Sequence, residues 1–263
     1  MMLTYFTERL ITIFSISVVR YFVFGGIAYF IFYVWKRSEF FEKKIQSKFP
    51  NREIVLAEIR NSIFSLFIFA LIGVGISLLK KNGYTLIYLD FNQYSFAYLL
   101  FSTIALIIIH DTYFYWMHRA IHHKSVYKYV HRVHHVSTNP TPWASFSFHP
   151  LEAVLEVGIL PITVFIMPLH PAAILIWLLF MTMMNVLGHL GFELFWKGFT
   201  TGKITKWANT SVHHNMHHKY VNSNFGLYFN FWDRIMGTNH KNYTEEFEEV
   251  KSKEKSELNL LLD

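Results

Sequence analysis

Three long apolar runs are the feature that most constrains how this chain of 263 residues can fold. Residues 10–35 are apolar except for Arg20, residues 62–79 are apolar throughout, and residues 96–117 are apolar until a His-Asp pair. Each run is close to the ~20 residues that a helix needs to cross a bilayer. Because 52% of the residues are hydrophobic and only 16% are charged, the composition also departs from that of a soluble domain. The sequence predicts an all-α integral-membrane bundle.

A fourth apolar block covers residues 153–187 and contains three prolines. It is too long for one span and long enough for a hairpin of two, so we expect four or five membrane segments and about four transmembrane helices. Arg20 needs an explanation, because an unpaired charge at mid-bilayer costs at least ~2.5 kcal/mol. We expect either that its side chain reaches the interface or that the first span begins after it.

The loops between the predicted spans differ in charge. Residues 36–60 carry seven Lys or Arg residues, whereas the loop near residues 80–95 carries only Lys80 and Lys81. The positive-inside rule therefore places residues 36–60 in the cytoplasm. Counting spans from there puts residues 118–150 and everything after residue 188 on the same cytoplasmic side, in a bacterial inner membrane or an endoplasmic reticulum. The basic residues lie in blocks beside apolar segments, so we expect no nucleic-acid binding.

Fifteen histidines and no cysteine leave His, Asp and Glu as the strong metal ligands of this chain. The first histidine cluster, HDTYFYWMHRAIHH, ends the third apolar run. On a helix His118 and His122 lie one turn apart on one face, which suits a shared metal, whereas His110 points away. Asp111 falls within about 20° of that face, so we expect it to hold an imidazole N–H or a ligand water. The choice of His122 over His123 would reverse if the helix ended just before His122.

The second and third clusters, HRVHH and HNMHH, share the spacing H-x-x-H-H. This spacing sets three imidazoles at i, i+3 and i+4 along one helical stripe. A further histidine, His189, ends the apolar hairpin, with Asn185 one turn before it. We expect lone histidines such as His170 and His240 to be structural, and His149 to pack or to hydrogen-bond near the site. The candidate ligands are His118, His122, His131, His134, His135, His189, His214, His217 and His218, with His110, His123 and His213 as weaker candidates.

The number of candidate ligands indicates two metal ions, since catalytic zinc takes three protein ligands and structural zinc takes four. Imidazole binds Zn, Cu, Fe and Ni, so the ligand type does not select the metal. A site at the edge of the membrane suits oxidation of a C–H bond in a buried lipid chain or ring. Oxygen chemistry needs a redox metal with open positions, which favours iron over zinc.

Three stretches together resemble a known family: HDTYFYWMHRAIHH, then HRVHH with NPTPWASFSFHPLE, then SVHHNMHH with NFGLYFNFWDRIMG. Their order and spacing resemble the fatty acid hydroxylase/sterol desaturase superfamily, with the best match to the sterol C5-desaturase branch, over residues 105–240. The resemblance implies about four transmembrane helices with a cytoplasmic di-iron cap, held by the nine candidate ligands. It also implies desaturation or hydroxylation of a membrane lipid with O₂ and two electrons per turnover. The substrate that it implies is sterol-like or fatty-acyl. In some fatty acid hydroxylases of the superfamily a histidine stands where this chain has Asn185, which favours the sterol-like substrate over the fatty-acyl one.

The domain organisation that we expect has three parts. Residues 1–104 hold the first membrane segments and a basic loop, residues 105–240 form the catalytic domain, and residues 241–263 form a charged tail that is a short surface helix or a frayed end. No G-x-G-x-x-G run or haem-binding domain is recognisable, so electrons should come from a separate carrier of the cytochrome b5 or ferredoxin type with its reductase.

Two other functions remain open from the residues. A zinc-dependent membrane hydrolase would use a nearby carboxylate such as Glu152 or Glu193 as general base. A metal-transporting or metal-sensing protein would need polar groups at bilayer depth, and residues 10–35 and 62–79 offer almost none.

Overall fold

The computed structural model describes residues 2–253, and within them it contains α-helices, short 3₁₀ and π segments and loops, but no β-strand. Four of the helices are long and apolar enough to cross a membrane, which confirms the prediction of about four transmembrane helices. In chain order the helices are α1 (Met2–Tyr29, extended by a π-helical segment Phe30–Trp35), α2 (Arg52–Lys81), α3 (Phe96–Ile121), α4 (Lys124–Val130), α5 (Pro150–Val157), α6 (Ile159–Ile166), α7 (Pro171–Gly188), α8 (Ser211–Tyr220), α9 (Phe231–Ile235) and α10 (Tyr243–Ser252).

Local sequence signals set where these helices begin. The side chain of Asn51 accepts a hydrogen bond from the amide of the third residue of α2, and Ser95 does the same for α3. Such caps satisfy backbone donors that lack partners inside the helix. Pro150 and Pro171 occupy the first position of α5 and α7, where a proline costs no hydrogen bond.

The apolar hairpin is present, but its first arm is not a single helix of spanning length. It consists of α5 and α6, which meet at Gly158. A Cβ atom at Gly158 would lie 2.9 Å from the hydroxyl of Tyr113, so the helices can approach this closely only at a glycine. The tip of the hairpin lies at the end of the bundle opposite the histidine clusters, where the amide of Leu86 donates to the carbonyl of Val164.

Helix α1 runs without interruption through Arg20. The candidate membrane span, Met2–Trp35, therefore includes Arg20 and does not begin after it. At its far end α1 lies antiparallel to α2, where the hydroxyls of Tyr5 and Ser77 are 2.8 Å apart. Nearer the histidine clusters, Tyr21 and Ser62 both donate to the backbone carbonyl of Trp143 at 2.8 Å. These two helices thus fix the chain segment that follows the second histidine cluster.

The described part of the charged tail is an integral part of the core. Helix α10 buries Tyr243, Phe247 and Val250 against Val212 and Met216 of α8. The tail is therefore neither frayed nor loosely attached up to residue 253, and its apolar face supports the helix that carries the third histidine cluster. Residues 254–263 of the predicted tail lie outside the described residues.

Candidate metal centre

Nine buried histidines converge in two groups at one end of the bundle. In each group, every residue offers one ligand atom that lies within 4.8 Å of those of the others. The five-histidine group consists of His118, His122, His131, His135 and His217. The four-histidine group consists of His134, His189, His214 and His218.

Each H-x-x-H-H box contributes to both groups. On α8, His214 and His218 face the four-histidine group while His217 faces the five-histidine group. Positions i+3 and i+4 of a helix point about 100° apart, so one box can reach two centres. The three imidazoles of the third cluster lie on one regular helix, as the spacing predicts, but they serve two groups.

The second cluster departs from the expectation of one helical stripe. Helix α4 ends at Val130, and a turn leads into a 3₁₀ segment, His134–Val136. His131 and His135 reach the five-histidine group, whereas His134 reaches the four-histidine group. Despite the irregular backbone, the ring centroids of His134 and His135 lie 5.7 Å apart, close to the 5.8 Å between His217 and His218 on the regular helix α8.

The first cluster shows why His122, and not His123, enters the site. Helix α3 ends at Ile121, yet His122 keeps helical dihedral angles of φ −76° and ψ −8°. Its side chain therefore stays on the same face as His118. His123 is exposed, and its Nδ1 accepts a hydrogen bond from the amide of Ser125 at the start of α4.

Backbone carbonyls orient most of the rings. A carbonyl can only accept, so each ring nitrogen bonded to one carries the proton, and the opposite nitrogen, Nε2, presents its lone pair to the group. These pairs are His118 with Phe225, His134 with Ser147, His189 with Asn185, His217 with Ser223 and His218 with Ser137, at 2.7–3.2 Å.

A carboxylate orients one ring instead. Nδ1 of His131 lies 2.6 Å from Oε1 of Glu152, and both side chains are fully buried. A carboxylate in this position fixes the tautomer and raises the basicity of the ligand nitrogen. From the sequence, Glu152 is a candidate only for the general base of a hydrolase. Its position in the first turn of a mainly apolar helix was the available signal.

The arrangement of nitrogen atoms fits two bound cations. Nε2 of His214 lies 3.0 Å from that of His189 and 3.1 Å from that of His218. In the other group, Nε2 of His131 lies 3.1 Å from that of His118. Lone pairs that face each other repel unless a cation lies between them. Both nitrogens of His122 and Nε2 of His217 are also buried without a hydrogen-bond partner in residues 2–253, and such atoms are rare unless a ligand satisfies them.

Burial keeps these imidazoles neutral. Removal from water lowers the pKa of His189 to about 4 and that of His135 to about 3. Burial, helped by the neighbouring imidazoles, lowers the pKa of His134, His214 and His218 well below the usual value. A neutral imidazole is the form that binds a metal, so the groups need no deprotonation at pH 7.

The weaker candidate ligands lie outside both groups. Nδ1 of His110 is 2.7 Å from the hydroxyl of Tyr228. Nε2 of His213 is 3.3 Å from a carboxylate oxygen of Asp233. Asp233 also accepts hydrogen bonds from the amides of Phe225 and Gly226. It therefore fixes the loop whose carbonyl orients His118, a role that spacing in the sequence did not reveal.

The three residues proposed to support the ligands have different positions. Asp111 contacts no imidazole through a hydrogen bond in residues 2–253; its carboxylate accepts the amides of Tyr228 and Phe229. The helical spacing predicts that Asp111 lies on the same side of α3 as His118. The loop that contains Tyr228 and Phe229, however, occupies the carboxylate with two amide hydrogen bonds. Asn185 does support a ligand, through its backbone carbonyl, which accepts from His189. His149 caps α5 by accepting from its second amide and does not reach the histidine groups.

A cavity within the bundle adjoins the four-histidine group. Phe148 and Asn185 line it. The ring of Phe148 contacts that of His134 with centroids 5.2 Å apart, and Asn185 contacts His189. Most of its other walls are apolar side chains of α1, α2, α6 and α7. The cavity therefore offers an apolar molecule access to the edge of the four-histidine group.

Comparison with known proteins agrees with this geometry. The model of the fatty acid hydroxylase family matches residues 103–238, just over half of the chain. A Delta(7)-sterol 5(6)-desaturase of Gibberella zeae is 31% identical over 182 residues, which are 69% of this chain and 54% of that protein. Lathosterol oxidase of Mus musculus is 30% identical over 226 residues, which are 84% of this chain and 70% of that protein.

Lathosterol oxidase of Homo sapiens is 33% identical over 187 residues, which are 70% of this chain and 60% of that protein. The chain thus spans between about half and 70% of the length of these relatives. No solved structure matches the chain. The matched segment contains all nine converging histidines. The chain therefore belongs to the fatty acid hydroxylase family, in its sterol desaturase branch.

Proposed function

We propose that this protein is a membrane-bound, non-haem di-iron oxidoreductase that uses O₂ to desaturate or hydroxylate an unactivated C–H bond of a sterol-like lipid. One observation carries the proposal: nine neutral imidazoles form two groups beside an apolar cavity in a membrane-spanning bundle. The names of the relatives, sterol desaturases and lathosterol oxidases, support a sterol substrate and a place in lipid biosynthesis.

The five-histidine and four-histidine groups would each hold one iron ion. Bound iron would supply the one-electron chemistry that reaction with O₂ requires. The protein orients the ligand nitrogens through backbone carbonyls and through Glu152. Three aromatic rings line the cavity, those of Phe146, Phe148 and Trp177. They would exclude water from the reacting part of the lipid.

Electrons would come from a separate carrier, of the cytochrome b5 or ferredoxin type, with its reductase. We infer that the end of the bundle that carries the two histidine groups faces the cytoplasm, because the basic loop of residues 36–51 lies at that end. The absence of cysteine allows a direct test. A membrane-impermeant thiol reagent should label Asn92→Cys in intact spheroplasts or cells, and should label Ser38→Cys only after permeabilisation. The reverse pattern would overturn this orientation.

The zinc hydrolase is less well supported by the geometry. Both carboxylates considered as its general base are engaged. Glu152 bonds to His131, and Glu193 accepts hydrogen bonds from the amides of Phe195 and Val212. A general base must reach a bound water. Both oxygens of Glu193 already accept hydrogen bonds, and Glu152 is held at His131 through Oε1, which leaves only its Oε2 without a partner in residues 2–253.

Two measurements test the proposed function together. Protein purified anaerobically in detergent should contain close to two irons per chain. Lipid mass spectrometry of cells with and without the protein should show a product that has lost two hydrogens or gained one oxygen. Stoichiometric zinc, with no activity after iron loading, would contradict the proposal. A His217→Ala variant that inserts normally in the membrane serves as the inactive control.

A further inference from the structure

Three ionisable side chains line the cavity beside the four-histidine group. His110 is hydrogen-bonded to the hydroxyl of Tyr228, whereas the other two have no hydrogen-bond or ion-pair partner in residues 2–253. Arg20 lies in the middle of α1, and its buried Nε has no hydrogen-bond partner. Glu156, in α5, is only 9% exposed and forms no hydrogen bond or ion pair. An unpartnered charge inside a membrane protein is costly and marks a functional position. The proposed chemistry at the histidines uses neither residue.

The rest of the cavity shows what kind of molecule could supply the partner. Its walls are mainly apolar, and its volume is about 100 Å³. Pockets for whole drug-sized ligands measure roughly 300–1,000 Å³, so only one end of a lipid fits inside. A few polar groups in an apolar pocket are the usual arrangement for orienting a ligand. The end of the lipid that enters must therefore carry a polar group.

The polar group would be held close to the histidines. Arg20 and Phe148 line the same small cavity. The ring of Phe148 contacts that of His134 of the four-histidine group, with centroids 5.2 Å apart. A carbon near the polar end of a lipid in this cavity is therefore the one that would lie beside the histidines.

We propose that this cavity binds the hydroxyl end of a lipid alcohol, with Arg20 donating a hydrogen bond to the hydroxyl oxygen and Glu156 providing a second polar contact. The proposal rests on the proposed function for both the oxidation and the sterol-like substrate, and it adds the residues that hold the polar end and the direction of binding. A hydroxyl both donates and accepts, so it suits both side chains.

Kinetics with two matched substrates test the hydrogen bond from Arg20. The substrates are a Delta(7)-sterol alcohol and the same sterol with hydrogen in place of the hydroxyl. Arg20→Met should raise KM for the alcohol about 10- to 100-fold, the range for a hydrogen bond to a charged group, and leave KM for the deoxy sterol unchanged. Glu156→Gln should raise KM for the alcohol by about tenfold or less. Equal changes for both sterols, or no change, would overturn the proposal.

Control variants separate this effect from loss of folding. Arg9→Met removes an exposed arginine from the same helix, where it contacts Tyr5, and should leave both KM values unchanged. Arg20→Lys keeps a cationic donor and should recover part of the lost affinity. If Arg20→Met does not fold, the Glu156→Gln variant decides the same question with the same two sterols.

Binding to the metal-free protein separates this inference from the proposed function. A fluorescent sterol alcohol should bind the metal-free wild type and bind Arg20→Met about 10- to 100-fold more weakly. Such binding without turnover of the iron-loaded protein would contradict the oxidation but support the cavity assignment. Turnover of both sterols with equal KM would support the oxidation but contradict the cavity assignment. Stronger competition by a long-chain fatty acid than by a lipid alcohol would overturn the choice of a hydroxyl.

Discussion

The two histidine groups differ in what holds their rings. In the four-histidine group, backbone carbonyls orient His134, His189 and His218. In the five-histidine group, backbone carbonyls orient only His118 and His217. A carboxylate orients His131, and His122 has no hydrogen bond at either ring nitrogen. The backbone of a packed fold cannot titrate or change rotamer, whereas side chains can do both. The four-histidine group, which adjoins the cavity, is therefore the more firmly positioned centre.

The third histidine box allows the sharpest comparison of the two groups. His214→Ala removes a nitrogen from the four-histidine group, and His217→Ala removes one from the five-histidine group, three residues away on the same helix. The activity of each variant should be more than about 100-fold lower than that of the wild type. A loss of about 100-fold is the upper end of the range for replacing a residue that only supports a metal ligand. Product analysis by mass spectrometry and iron content per chain measure the effect.

Iron content should distinguish the two variants as well. His217→Ala should retain close to one iron, because the four-histidine group stays intact and firmly oriented. His214→Ala leaves three imidazoles in the four-histidine group and should lose iron from that group first. Full activity in either variant, with two irons bound, would show that the altered residue is not a ligand.

Acid should destabilise the metal-free protein through both groups. The pKa values of the buried histidines are lowered, to about 4 for His189 and about 3 for His135, whereas an unfolded histidine has a pKa near 6.5. The unfolded state therefore binds more protons than the folded state below pH 6.5, so stability is constant above that pH and falls below it. The loss should approach ~1.4 kcal/mol per pH unit for each such histidine. Unfolding midpoints in detergent at pH 8, 6.5 and 5 measure this, and equal midpoints at pH 8 and 5 would contradict it.

The sequence predicted the membrane bundle well because apolar runs of spanning length have few alternative structures. It also selected the nine histidines that converge in space, because helical spacing and the side of the membrane are both readable from local pattern. Two features depended on tertiary structure and could not be predicted in this way. The sharing of each box between two groups depends on how the segments pack around α8, and the partner of each imidazole depends on which loop passes beside it.

Asp111 and Glu152 show why the partner of an imidazole could not be predicted from the sequence. Helical phase predicted Asp111 as the partner of an imidazole, but a loop distant in sequence supplies backbone amides that occupy it. Glu152 lies 21 residues after His131 in the chain and bonds to it directly. A periodicity argument reaches only neighbours on one element, so it could not find this pair.

Glu152→Gln should weaken the five-histidine group specifically. The glutamine keeps an acceptor for Nδ1 of His131 but removes the negative charge that raises the basicity of the ligand nitrogen. Activity or iron affinity should fall about 10- to 100-fold. The matched control is Asp111→Asn, a buried carboxylate that bonds to backbone and not to a histidine. It should lower stability while two irons remain bound. Equal iron loss in both variants would remove the distinction drawn between these carboxylates.

His122 and His123 provide the smallest and most local comparison. His122 is buried and has both nitrogens without a hydrogen bond, and it belongs to a group that keeps four other imidazoles if it is removed. Because its ring is not held by the protein, His122→Ala should cost about tenfold in activity, the lower end of the range for supporting residues. His123→Ala changes an exposed side chain and should leave activity within about twofold, since surface substitutions rarely matter. Activity and iron content of the two variants, measured side by side, test this order. A greater loss in His123→Ala would mean that the chain places His123 in the group, with the last turn of α3 rearranged around the metal.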